Sequence, residues 1–169
     1  DFCLSRGLGD VYKRQTATGA LIEDVTLSDT GTLSFTELDV TDVVTVSEAN
    51  TGITWSAGTL SDELSATDIQ ALIDGFAVTN TGWTYDTSVN LDFLAEGETL
   101  TLTYEVTATD DSAATNAASA AETVTITITG TNDQPVIDTI TATGALTEAD
   151  GTASLSASGT LSFTELDVN

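Results

Sequence analysis

Carboxylates are the side chains of this sequence whose number and spacing suggest chemistry. They recur in groups. Glu23 and Asp24 are adjacent, Asp39 and Asp42 are three apart, and Glu96 and Glu98 flank a glycine. Asp110 and Asp111 close a threonine-rich run, and Asn132 and Asp133 stand just before Pro135. Clustered oxygen donors suit a hard cation, calcium above all. No twelve-residue EF-hand loop is present, nor the glycine- and aspartate-rich nonapeptide of calcium-binding β-rolls. Paired carboxylates can also hydrolyse glycosides. Glu96 and Glu98 lie two apart at the entry to a strand, with no aromatic-lined cleft evident around them, which disfavours that reading.

Composition narrows the classes further. The 169 residues carry 27 acidic and 3 basic side chains and no histidine, a formal net charge of -24. Such a balance disfavours nucleic acid and anionic membrane surfaces as partners. Without histidine the commonest general base and the usual serine triad are missing, and one cysteine supports no disulfide framework. No run of 18 apolar residues is present, so no membrane span is expected. The chain is expected not to be an enzyme. Its self-repulsion must be offset by salt or by bound cations.

The basic residues are not spread along the chain. Arg6, Lys13 and Arg14, with Cys3, all lie before residue 16, whereas all carboxylates but Asp1 and Asp10 lie beyond it. The string Asp10-Val-Tyr-Lys-Arg-Gln15 resembles the translation of a transposase adapter used in sequencing libraries. Residues 1–15 are therefore read as an assembly artefact with no part in the fold.

The remainder repeats itself. Thr16-Ala-Thr-Gly-Ala-Leu21 returns as Thr141-Ala-Thr-Gly-Ala-Leu146, and Gly31-Thr-Leu-Ser-Phe-Thr-Glu-Leu-Asp-Val40 returns as residues 159–168. A period near 125 residues is that of a domain rather than of a solenoid unit. The expected organisation is one domain over 16–130, a linker at 131–135, and the truncated start of a second domain over 136–169.

Strict alternation identifies the strands. Thr123-Val-Thr-Ile-Thr-Ile-Thr129 sets Val124, Ile126 and Ile128 on one face. Residues 99–109 do the same with Leu100, Leu102, Tyr104, Val106 and Ala108, and the two strands are expected to pair as a hairpin. Shorter strands are expected at 32–35, 43–47, 52–56, 76–79 and 83–85. Within residues 64–75 a short helix is expected, capped by Thr67 with Gln70 at its third position and stopped by Gly75. Trp55, Trp83, Phe35, Phe76 and Tyr104 are the expected large core residues. The fold class is all-β: an antiparallel Greek-key sandwich with one short helix in a connection.

At this point the strings resemble a known family. Gly31-Thr-Leu-Ser-Phe-Thr-Glu-Leu-Asp39, Gly82-Trp-Thr-Tyr85, Leu94-Ala-Glu-Gly-Glu-Thr-Leu-Thr-Leu-Thr-Tyr104 and Thr125-Ile-Thr-Ile-Thr-Gly-Thr-Asn-Asp-Gln-Pro135 are similar to the VCBS repeat of long bacterial surface proteins. The resemblance runs from about residue 16 to 135 and restarts at 136. It departs from the family at residues 110–121, which replace a glycine-rich turn, and at residues 60–75, which carry the helix. The resemblance implies a cadherin- and immunoglobulin-like module, stacked in tandem on a secreted or surface-anchored bacterial adhesin. It implies calcium at the domain junctions. Carried over by position, Glu23, Glu96 or Glu98, and Asp110 would meet at one pole of the first domain. Asn132 and Asp133 would form the linker, and Glu148 and Asp150 would approach from the second copy. The expected role is that of a spacer whose partners are neighbouring repeats. Direct binding of carbohydrate or protein is the alternative, and clustered exposed aromatics would be its signature.

Overall fold

The structure, a computed structural model, describes residues 17–37, 41–112, 117–148, 150–151 and 155–167. The segment expected to be foreign, residues 1–15, lies outside the described residues, as does Asp39. The chain order is β1 (Ala17–Ile22), β2 (Ser28–Thr32), β3 (Thr45–Trp55), α1 (Leu60–Glu63), α2 (Ala66–Asp74), β4 (Phe76–Thr79), β5 (Gly82–Asp86), β6 (Thr99–Thr109), β7 (Glu122–Thr129), β8 (Val136–Ile140) and β9 (Leu161–Thr164). The fold is mostly β and is divided among several sheets. Four strands follow the order β1-β7-β6-β3, three follow β2-β5-β4, and β8 pairs with β9.

The alternating runs form the centre of the larger sheet. β6 and β7 pair antiparallel with Leu102 opposite Ile126 and Leu100 opposite Ile128. All four side chains are fully buried, because a period of two sends every apolar residue of both strands to the same face. The threonines take the other face, where a β-branched residue keeps its strand preference. From the smaller sheet come Phe76, Trp83 and Tyr85, also buried. These residues and Leu72 of α2 join one apolar cluster shared by the two sheets. Phe76 lies between Tyr104, at 4.2 Å between ring centroids, and Trp83, at 5.9 Å.

Helix α2 is fixed to this core from its C-terminal end. The Tyr85 hydroxyl donates to the Leu72 carbonyl at 3.1 Å and the Tyr104 hydroxyl to the Ile73 carbonyl at 2.9 Å. The last carbonyls of a helix have no partner within it, so two buried phenols and an open helix end satisfy each other. Burial pushes both phenols above their ordinary ionisation range, and they remain neutral donors.

Several expectations are corrected. The sheets are not wholly antiparallel: β1 was not foreseen, and it pairs with β7 in parallel. The segments expected at 43–47 and 52–56 are one strand, β3, whose register shifts between Asn50 and Gly52. A glycine read as a strand boundary marks a bulge instead. The strand expected at 32–35 ends at Thr32, and Phe35 and Trp55 are only half-buried. The helix cap is Ser65, not Thr67: its hydroxyl accepts the Asp68 N–H at 3.2 Å and donates to the Asp68 carboxylate at 2.6 Å. Gly75 ends the helix with an ordinary φ of -66°, so left-handed geometry is not its role. A Cβ there would meet the Asp86 carbonyl oxygen at 2.4 Å.

Burial of Ile126 predicts the cost of truncating it. Ile126→Ala is expected to lower stability by about 2–5 kcal/mol in urea denaturation. A loss below about 0.5 kcal/mol, the size of a typical surface substitution, would contradict the shared core.

Candidate metal centre

Local backbone geometry assembles the site at one end of the larger sheet. Because β1 runs parallel to β7, Ile22 reaches the level of Thr129. The Glu23 N–H then donates to the Thr129 carbonyl at 3.0 Å. Asp24 takes a left-handed conformation, φ 59°, which aspartate tolerates better than most residues. The Ile22 carbonyl accepts from Thr26 at 2.9 Å, closing the turn. The Glu23 side chain is thereby held inside, 2% exposed.

The linker enters the same place. Gly130 donates to the Glu98 carbonyl at 2.9 Å and accepts from the Gly97 N–H at 3.2 Å. Here glycine is required for close approach, since a Cβ would lie 2.4 and 2.5 Å from the Leu94 and Ala95 carbonyl oxygens. The next residue, Thr131, donates its N–H to Glu23 Oε2 at 3.2 Å. Two residues on, the Asp133 N–H donates to Asp167 Oδ2 at 3.2 Å. Asp167 belongs to the second copy of the repeat. Glu23 Oε1, Asp133 Oδ2 and Asp167 Oδ1 are all buried without a hydrogen-bond partner.

Electrostatics reflect this crowding. Burial, opposed by the Thr131 N–H and reinforced by Asp24, Asp133 and Asp92, pushes the Glu23 carboxyl from 4.5 up to about 7. Asp133 is also pushed up, by loss of solvent first and then by Asp24, Asp167, Asp92 and Glu165. A buried anionic oxygen with no donor is costly, and a bound proton or cation removes that cost. Among the described residues, no group of three or more acidic side chains is gathered closely enough to hold a metal ion as the side chains stand.

The expected ligands divide accordingly. Glu23 and Asp133 are brought to the same place. Asn132 is exposed and braces the linker, its Nδ2 donating to the Asp133 carbonyl at 2.9 Å. Glu96 is exposed on the turn that holds Gly130, at the same pole. Glu98 shares that turn, but its Oε2 accepts the Trp55 indole N–H at 3.0 Å and the Ala95 N–H at 3.3 Å. Asp110 does not join them. It follows the far end of β6, eleven residues long, and so lies about 40 Å from Glu98 at the usual strand rise. There its Oδ1 accepts the Ser112 N–H at 2.8 Å and shapes a turn. Glu148 and Asp150 are exposed in the connection between β8 and β9. The second copy instead presents Asp167 and Glu165 to Asp133. Asp167 is the repeat image of Asp39, which the carboxylate spacing had singled out. Asp92 carried no comparable signal. It sits in an Asx turn, its N–H donating to Asn90 Oδ1 at 2.9 Å.

No family model and no curated protein matches the sequence. No helix among the described residues is long and apolar enough to cross a membrane.

Glu23 makes stability depend on pH in a defined direction. Folding raises its pKa, so the folded state binds the proton more tightly. The contribution is full below about 4.5 and is lost as pH rises through about 7. In chelator at about pH 8, Glu23→Gln is expected to be more stable than the parent by at least about 1 kcal/mol, since a one-unit shift is worth 1.36 kcal/mol. The gap should shrink at about pH 4, below the ordinary glutamate value of 4.5. Urea midpoints at the two pH values measure it. A parent chain more stable than the variant at the higher pH would show that the Glu23 carboxylate has a partner.

Proposed function

We propose that this chain is a spacer module of a tandem array on a secreted or surface-anchored bacterial adhesin, with calcium bound at the junction between successive copies. The observation that carries the reading is the set of three buried, unpartnered carboxylate oxygens on Glu23, Asp133 and Asp167. They come from the first copy, the linker and the second copy. One cation toward which these side chains turned from their present positions would neutralise repulsion and join the three segments at once. Calcium fits because the donors are all oxygen, because it accepts irregular coordination, and because exposed turns nearby leave room for water ligands. Glu96, Asp24 and Asp92 are further first-copy carboxylates on that pole.

The finer fold reading belongs here too. Two sheets sharing one core support a cadherin- or immunoglobulin-like sandwich, with β1 switching to a parallel edge position. Direct ligand binding has weaker support. Trp83, Tyr85, Tyr104 and Phe76 are buried, and Trp55 spends its indole N–H on Glu98.

The test is calorimetry and small-angle scattering with calcium, with magnesium at equal ionic strength, and with chelator. Calcium at a hundred times its dissociation constant is expected to add about 2.7 kcal/mol. That constant should fall at about 0.1–1 mM, as in extracellular modules. Glu23→Gln and Asp133→Ala should lose the gain, whereas Asp110→Asn should keep it. Equal effects of calcium and magnesium would reduce the result to charge screening and overturn the reading.

A further inference from the structure

The string Thr-Glu-Leu-Asp occurs twice without change, at 36–39 and at 164–167. In the second copy its first residue, Thr164, ends β9, all of whose residues are exposed. Its last two residues turn to the first copy. Asp167 accepts the Asp133 N–H of the linker. Leu166 borders a cleft of about 390 Å³ whose other walls all belong to the first copy. Leu64, Val89 and Phe93 supply the apolar part of that cleft, and Asp68 and Asp92 stand at its edge. Its floor is anchored, because Phe93 is buried in the first core and Leu64 and Val89 pack against it.

We infer that residues 164–167 are a docking element, and that the surface they fit is the linker end of the preceding copy. Leu166 supplies apolar contact and Asp167 supplies register. The partner is a repeat carrying an apolar cleft beside an Asx-rich linker. The two surfaces differ, so the contact is heterologous, and it propagates head to tail instead of closing into a dimer. Leu166 keeps 39% of its surface exposed, so the contact is shallow and easily reversed. The inference rests on the tandem reading but not on the cation. The apolar walls of the cleft and the Asp133 N–H carry the contact of residues 166 and 167 without a cation, against the carboxylates of Glu63, Asp68 and Asp92 that also line the cleft.

The full chain, with Cys3→Ser, would carry spin labels at Thr84→Cys and Ser156→Cys, both exposed positions. Electron–electron dipolar spectroscopy reads the distance between copies, and hydrogen exchange reads the Asp133 amide. The parent should give one narrow distance and a protected amide. Leu166→Asp should broaden the distance and speed that exchange at least about tenfold, as local opening does. Leu166→Ala should give an intermediate result, and Leu146→Asp, at another exposed leucine, should change neither. Far-ultraviolet dichroism would confirm that each variant retains its sheets. A broad distance in the parent, or a Leu166→Asp chain as narrow as the parent, would overturn the docking element. If Leu166→Asp stayed narrow only in calcium, docking would fall while the cation reading stood. If the parent were narrow in chelator and Leu166→Asp broad, docking would stand without the cation.

Discussion

The fold depends on how carboxylates are accommodated in a repeat whose own sequence, from residue 16 on, holds no lysine or arginine. The three basic residues all precede residue 16, and among the described residues carboxylates of the repeat are met by neutral donors. Backbone N–H groups meet several of them. Asp29 accepts from Ala20 and Thr30, Asp111 from Val43, Asp110 from Ser112, and Glu23 from Thr131. Glu98 takes an indole N–H as well. The Asp29–Ala20 bond ties β2 to β1, and the Asp111–Val43 bond ties the segment after β6 to the segment before β3, so the acidity that opposes compaction also holds separate parts of the chain together. Donors run out at the seam between copies, and there the unpartnered oxygens collect.

Position at that seam is inherited from the core. The parallel β1–β7 pairing sets Glu23 level with Thr129, and the close packing of Gly130 on the 94–98 turn aims the linker across it. That turn follows directly from Leu94, which is fully buried. Core packing therefore sets the positions of Glu23 and of the linker that carries Asp133.

Sequence alone disclosed the parts governed by period. β6 and β7, their pairing and their buried faces follow from strict alternation of threonine with apolar residues. β1 escaped notice because Ala17-Thr-Gly-Ala-Leu-Ile22 mixes small residues and glycine, leaving too little contrast between faces. β2, Ser28-Asp-Thr-Gly-Thr32, reads as a turn, since its place in the ladder comes from its neighbour β5 and not from its own side chains. At the seam, Glu23 and Asp133 were legible, being adjacent to a repeat boundary and a proline. Only the resemblance draws Asp110 to the seam, and β6 is long enough to hold it at the other pole. Glu98 was plausible by type, but nothing local to it reveals a tryptophan 43 residues away. Asp167 became legible only by treating the repeat as a map from one copy to the other.

The parallel pairing of β1 with β7 also decides how the module answers force. The chain enters the ladder at Ala17, opposite Val124, and leaves it at Thr129, opposite Ile22. Tension on the two ends therefore pulls the strands past each other along their lengths. The six paired positions share the load in shear and must yield together, whereas a hairpin pulled from its open end would unzip one bond at a time. In the proposed stalk, a module of this kind would resist extension until that ladder gives way.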